Sequence, residues 1–158
     1  MIIYHGSLEK VEMPCILPPT RTLDYGSGFY ATTSMEQAEQ WVKRKRRKTG
    51  VKGYVNAYEL DESQLEKLQI LRFEYPTDEW VDFVMANRMD ASYIHHYDIV
   101  YGPVANDRVY AAFALYEANL LDKEGLIKEL RAYKLVDQLL FHTQRSLQTL
   151  HFIEAKEV

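Results

Sequence analysis

The sequence predicts an α+β fold, with strands and helices mixed rather than wound around one parallel sheet. Three observations lead there. Short segments rich in aromatic and β-branched residues recur along the chain, as in Phe29-Tyr30-Ala31-Thr32 and Val51 to Leu60. Segments with apolar residues at helical spacing lie among them, two of them opened by a capping residue, Ser34 and Thr77. The two kinds do not alternate in regular βαβ order. The chain has 158 residues, 47% hydrophobic and 27% charged, which suits one globular domain over 1–158 and argues against disorder.

Met1 to His5 reads as a short strand, with Ile3 and His5 on one face and Ile2 and Tyr4 on the other. Residues 7 to 23 are irregular, and Pro14, Pro18 and Pro19 mark a surface loop. Asp24 to Gly28 is a turn that feeds the strand Phe29 to Thr32. Ser34 caps a helix to about Lys48, with Gln37 completing a capping-box pattern. Met35, Ala38, Trp41 and Val42 form its apolar stripe, and Gly50 stops it. Val51 to Leu60 alternates as a strand, with Val51, Gly53, Val55 and Ala57 on one side. Gln69 to Phe73 is a further strand. Thr77 caps a second helix, in which Trp80, Phe83, Val84 and Asn87 share a face. Asp98 to Val104 is a strand ending at Gly102-Pro103. Residues 107 to 132 are helical, interrupted near Asp122 to Gly125. Gln138 to His142 and Leu150 to Ala155 are the last strands, with a helical turn between them.

The composition excludes several functions. With 19 Lys and Arg against 23 Asp and Glu, the net charge is −4, which disfavours a globally basic nucleic-acid binder. The single cysteine, Cys15, excludes an internal disulfide framework and a Cys-rich zinc site. The N-terminus does not read as a signal peptide, and the longest apolar stretch, Val109 to Leu121, is too short to span a bilayer. A cytoplasmic protein is the resulting expectation. No phosphate-binding glycine loop opens a helix, and Gly26-Ser27-Gly28 precedes a strand, so it aims no helix N-terminus at a pyrophosphate. It is not a nucleophile elbow either. His95, His96 and Asp98 lack metal-ligand spacing and read as a loop before a strand, and no metal is expected. Lys43 to Lys48 is a run of six cations at a helix end; it reads as phosphate or nucleic-acid contact, or as a solvated face. Consecutive helical residues point all round the axis, so the six cannot share one ligand.

Three pieces carry more information together than singly. They are Tyr4-His5-Gly6-Ser7, then Asp24 to Thr33 with the helix after it, then Asp137-Gln138-Leu139-Leu140-Phe141-His142. In this order the set resembles the ADP-ribosyltransferase superfamily, in the branch built on a His–Tyr–Glu triad. The resemblance runs from Tyr4 to about Leu150. It looks closest to an uncharacterised bacterial domain-of-unknown-function family of that clan, whose further landmark is similar to Tyr97 to Asp107. Families of this kind are often found beside antitoxins or on mobile elements.

The resemblance implies two packed, split β-sheets with peripheral helices and NAD in the cleft between them. It implies a triad of His5, Tyr30 and Gln138, the last standing where the branch has Glu. It also implies NAD contacts from His5, Gly6, Arg21, Gly28, Tyr30 and Trp41. His5 would bond the ribose that carries the nicotinamide, and the Gly6 backbone would hold the carboxamide. Tyr30 and Trp41 would stack on the nicotinamide ring, and Arg21 would pair with the diphosphate. Aromatic walls suit a flat cationic ring. The expected function is transfer of ADP-ribose from NAD to an unknown acceptor, protein or nucleic acid, in a toxin with an antitoxin partner. The alternatives are an inactive NAD- or partner-binding module and a nucleic-acid-associated protein using residues 43 to 48. Gln138 can bond a ribose hydroxyl but carries no charge. On this reading Gln138→Glu is nearly isosteric and restores the charge. His142 shares the Gln138 face and is a possible contributor. Ordinary packing accounts equally for His5, Tyr30 and Trp41.

Overall fold

The computed structural model describes residues 1–104, 107–132 and 135–158, so Ala105 and Asn106 of the Tyr97 to Asp107 landmark lie outside the described residues. It holds two sheets. β1 (Ile2–Ser7), β3 (Tyr54–Leu60) and β7 (Leu150–Glu157) form an antiparallel sheet in the order β1-β3-β7. β2 (Phe29–Ala31), β6 (Asp137–Phe141), β5 (Ile99–Pro103) and β4 (Ile70–Arg72) form the second, in the order β2-β6-β5-β4, with β4 parallel to β5. The α+β class expected from the sequence is the one observed.

Four layers follow from which face of each strand is apolar. Ile3, Tyr58 and Leu60 of the first sheet meet Phe29, Ala31, Ile99, Leu139 and Phe141 of the second, which makes the layer between the sheets. The helix α1 (Met35–Thr49) covers the outer face of the first sheet, setting Ala38 and Val42 against Val55 and Tyr4. On the outer face of the second sheet lie α2 (Asp78–Met89), α3 (Asp107–Glu117) and α4 (Lys123–Arg131). They bury Trp80, Val84, Val109, Phe113, Leu126 and Leu130 against Val100, Leu140 and Tyr25.

The capping signals act as their chemistry predicts. Ser34 and Thr77 each accept a backbone N–H from the first turn of their helix, and Asp122, inside the interruption expected from the sequence, does the same for α4. Gly50 takes φ 70° and donates its N–H to Arg46 O at 2.7 Å, which closes α1. The short α5 (Gln144–Leu147) carries a full capping box between Thr143 and Ser146.

Several boundaries differ from the sequence reading. β1 runs on to Ser7, and β7 runs on to Glu157. β3 begins at Tyr54 rather than Val51, and Val55, Asn56, Ala57 and Tyr58 are all buried. The alternation fails because both faces of this central strand are covered and a bulge falls at Ala57 and Tyr58. The break between α3 and α4 comes earlier, at residues 118 to 122, where Asn119 adopts φ 58°. A 3-10 helix, Glu62–Lys67, fills a segment that has no apolar periodicity to announce it. On the α1 stripe Trp41 is 38% exposed, so only Ala38 and Val42 are core residues.

The two sheets are joined at their edges by one bridge. Tyr4 N–H donates to Thr32 O at 2.8 Å, and Thr32 N–H donates to Tyr4 O at 2.9 Å. Beyond it the edges part. Gly28 sits at the opening with φ 148°, and a β-carbon added there would collide with Phe141 O and the Leu140 side chain and lie 3.1 Å from His142 Cα. A side chain there meets backbone that cannot move aside, on a φ that disfavours L residues. Gly28→Ala is therefore expected to destabilise the protein by roughly 2 kcal/mol or more, seen as a lowered thermal midpoint. An unchanged midpoint would contradict the close approach.

Candidate functional site

The turn Asp24 to Gly28 is held by its own Tyr25 side chain and by side chains from several other segments. Tyr25 is fully buried. Its hydroxyl donates to Pro103 O at 2.8 Å and accepts from Trp80 Nε1–H at 2.7 Å. His95 Nε2–H donates to Tyr25 O at 2.7 Å, while its Nδ1 accepts from Tyr97 N–H. His142 Nδ1–H donates to Ser27 O at 2.6 Å, and the two imidazoles lie 4.2 Å apart. Tyr30 closes the turn from the strand side: its hydroxyl donates to Gly26 O at 2.6 Å and accepts from Tyr25 N–H at 3.1 Å.

His5 and Tyr30 meet through the main chain. His5 Nδ1–H donates to Tyr30 O at 2.6 Å, and the imidazole lies 4.3 Å from the Phe29 ring. A carbonyl can only accept, so the proton is on Nδ1 and Nε2 is the acceptor. The His5 ring thus belongs to the layer between the sheets. The Tyr30 phenol projects to the opposite face of β2, where Gln138 also lies. The structure therefore brings Tyr30 and Gln138 onto one face of the second sheet and sets the His5 imidazole on the other.

Gly6 lies two residues beyond the bridge. Because Tyr4 spends its N–H and C=O on Thr32, strand alternation turns those of Gly6 the same way, toward the parting edges. On its other side α1 comes close: a β-carbon on Gly6 would lie 2.7 Å from Ala38 O and 3.2 Å from the Trp41 ring. Trp41 thus packs over Gly6, with Lys45 Nζ 5.2 Å from its ring centre. Arg21 is exposed, within electrostatic reach of Asp24, Tyr30 and Tyr110. The basic run is exposed throughout and spread around α1: Lys43 pairs with Glu39, and Arg46 reaches the carbonyls of Val51 and Val158.

Gln138 is buried, and its Nε2–H donates to Pro103 O at 3.2 Å. Beside it is a group the sequence reading passed over. Asp24 is 8% exposed, and burial pushes its carboxyl above the usual carboxylate range. The Arg88 guanidinium and the Gln138 amide act the other way and favour the ion. Arg88 reaches Asp24 from one nitrogen at 3.5 Å, lies 4.8 Å from the Tyr110 ring centre, and leaves its buried Nε without a partner. Asp24 sits at the head of a glycine turn and Arg88 in the last turn of a helix, so no local pattern announces the pair.

Asp137 points away from Gln138, as strand alternation requires. It accepts from Thr33 N–H at 2.8 Å and from the hydroxyls of Thr32 and Thr33, which ties β6 to the start of α1. His95 is a structural hydrogen-bonder. Asp98 lies under the site, bonded to Arg145 Nε at 2.8 Å, to Thr143 Oγ1 at 2.6 Å and to Gln69 N–H at 2.8 Å. These donors hold its carboxyl far below the usual range, Arg145 most of all.

The fold and site define an α+β protein of two sheets with a histidine-clasped glycine turn where their edges part. The chain belongs to a family described as a protein of unknown function (DUF3990), whose family model matches residues 1–152. Neither the curated proteins nor the solved structures yield a match. No helix among the described residues is long and apolar enough to cross a membrane.

Two expectations follow from the electrostatics. Burial pushes the imidazoles of His5 and His95 below their ordinary 6.5. The unfolded chain takes up those protons as pH falls through 6.5 while the folded chain does not, so stability drops on acidification. Each contributes about 1.4 kcal/mol per pH unit over which the two states differ. Asp24 has the opposite sign, losing stability as pH rises through its raised value. Urea midpoints at pH 7, 6 and 5 should therefore decline in that order, and equal midpoints would contradict the buried neutral imidazoles. Asp98→Asn removes the ion that three donors address and should cost roughly 2–3 kcal/mol, measured by the same titration at pH 7.

Proposed function

We propose that this protein is an NAD-dependent ADP-ribosyltransferase-like enzyme that cleaves the bond between nicotinamide and ribose. The observation that carries the reading is the parting of the sheet edges just past Tyr4 and Thr32. There the Gly6 N–H and C=O are turned into the opening beside Trp41. A paired donor and acceptor on rigid strand backbone is what a carboxamide needs, and an exposed indole beside it offers a face to a flat cationic ring. His5 Nε2 remains an acceptor for a ribose hydroxyl because Nδ1 is committed to Tyr30 O.

In the reaction the bond from C1′ of the ribose to the nicotinamide nitrogen breaks. Its electron pair leaves with nicotinamide, which departs neutral, and positive charge develops on the sugar. A nucleophile on the acceptor, or water, then bonds to C1′ and loses its proton. A negative group near the sugar speeds the step, as in glycoside cleavage. The ADP-ribose acceptor, and an antitoxin partner of the kind the sequence resemblance suggests, belong to this proposal.

A second reading has its own observation. Gln138 is uncharged, buried, and spends an N–H on Pro103 O, which suits a module that binds NAD without turning it over.

Trp41 gives the cleanest test, because its exposure separates stacking from core packing. The purified protein is expected to bind NAD in titration calorimetry and to release nicotinamide, followed by chromatography. Trp41→Ala should weaken binding by about tenfold, the worth of a lost ring contact, with the thermal midpoint unchanged. Binding without release would favour the second reading. Absence of binding would refute both.

A further inference from the structure

We infer that the acceptor is a single-stranded nucleic acid, docked by its phosphates on Arg44, Lys45 and Lys48 of α1 beside the opening. The inference rests on the cleavage reading above and names the substrate class that reading leaves open.

Residues 41 to 53 hold seven cations and no carboxylate, in a chain whose net charge is −4. The structure sorts these cations by what they meet. Lys43 Nζ lies 3.5 Å from Glu39, and Lys52 Nζ lies 3.1 Å from Glu157. Arg46 donates to the carbonyls of Val51 and Val158. Among the described residues, no carboxylate pairs with Arg44, Lys45, Arg47 or Lys48. Arg44, Lys45 and Lys48 stand three, four and seven positions after Trp41, the spacing of one helix face. Arg47 stands six after it and falls on another face. Lys45 Nζ is 5.2 Å from the Trp41 ring centre, which joins the indole to the cations.

That face borders the opening. A β-carbon on Gly6 would lie 3.2 Å from the Trp41 ring, and one on Gly53 would meet Val42 and, at 3.4 Å, Arg46. Tyr54 is paired with Ser7, so Gly53 stands past the end of β1. α1 therefore passes the opening at Trp41, and its last turns carry Lys45 and Lys48 beyond the strand end. A second cation and ring stand at the same end, Lys10 Nζ being 5.5 Å from the Tyr54 ring centre.

Exposed cations one helical turn apart fit a polyanion, and two rings beside them fit one that carries flat bases. With Trp41 given to the nicotinamide, Tyr54 is the ring left for a base. A membrane surface needs an apolar face between the cations, and the apolar face of α1, Ala38 and Val42, is buried on the first sheet. An acidic peptide meets the charges but brings no base to stack. A duplex keeps its bases stacked, whereas a single strand brings one to the opening unaided. In the transfer an N–H or O–H of the docked strand supplies the nucleophile. Its nitrogen or oxygen bonds to C1′ as the bond to nicotinamide breaks, the electron pair leaves with nicotinamide, and the proton passes to water.

The test compares two faces of one helix at equal charge. One triple variant combines Arg44→Ala, Lys45→Ala and Lys48→Ala; the other combines Lys43→Ala, Arg47→Ala and Lys52→Ala. All six side chains are exposed, so both should fold with the thermal midpoint of wild type. Binding of short mixed-sequence DNA and RNA single strands is followed by fluorescence anisotropy over a range of salt. The first triple should weaken binding by about tenfold or more and lower the slope of log K against log salt by about 2. The second should change affinity by no more than about twofold. With NAD present, mass spectrometry should show ADP-ribose added to the strand by wild type. Equal losses in the two triples, or no binding of either strand by wild type, overturn the docking surface. Polyglutamate or a duplex bound as tightly as the single strand overturns the class of acceptor. Docking and nicotinamide release without modified strand overturn the acceptor role and leave the cleavage reading standing. A wild type that releases no nicotinamide overturns the cleavage reading and the acceptor role together.

Discussion

The turn from Asp24 to Gly28 is the constraint on which the site depends. Three of its carbonyls accept a bond from a side chain: Tyr25 O from His95, Gly26 O from Tyr30, and Ser27 O from His142. Backbone carbonyls in an irregular segment must find donors when water is excluded, and here rings from three separate elements supply them. The same turn drives Tyr25 into the core, where Trp80 and Pro103 fix its hydroxyl. A short polar loop is thereby anchored to the elements around it, with Asp24 buried at its head.

Rigidity at this point sets the relation between the two sheets. β2 leaves the turn already aligned, pairs with β6, and touches β1 through Thr32 and Tyr4. Asp137 adds a second tie by holding Thr32 and Thr33 just before α1 begins. With both ends of β2 fixed, the edges separate where Gly6 and Gly28 lie. Both are positions where a side chain would collide with neighbouring backbone. The opening is thus a product of close packing around it, and its glycines serve the packing whatever else they contact.

Charge is distributed with the same economy. The imidazoles of His5, His95 and His142 each spend one ring nitrogen on a backbone carbonyl, and burial disfavours the cationic form of His5 and His95. The ionised groups are arranged in pairs: Asp98 with Arg145 under the site, Asp24 with Arg88 within it. Asp98 is surrounded by donors and holds its charge easily. Asp24 is held less well, opposed by burial and helped chiefly by Arg88, with smaller help from Gln138 and Arg21. A carboxylate so poised exerts its field on whatever lies next to it.

Much of this was readable in the sequence because it is local. Ser34, Thr77 and Gly50 mark helix ends by bonding to backbone within one turn, and that chemistry needs no distant partner. The helical spacing of Trp80, Phe83, Val84 and Asn87 announced the buried face of α2 correctly. The α+β class followed from the order of such segments. Contacts between residues far apart were not readable. Nothing near Asp24 tells of Arg88, which lies 64 positions away, and nothing near Gln138 tells of Pro103, at 35. Strand alternation placed Asp137 and Gln138 on opposite faces, yet it could not say that His5 and Tyr30 would meet through a carbonyl with their rings on different faces. Alternation failed outright in β3, because that strand is covered on both sides and no segment records what will pack against it. The sequence by itself determined most of the elements, the caps of α1 and α2 and the buried face of α2, since those follow from bonds and spacing within a few residues. The tertiary structure alone decided which polar groups share a buried space, because only the packed chain excludes the water that would otherwise satisfy them.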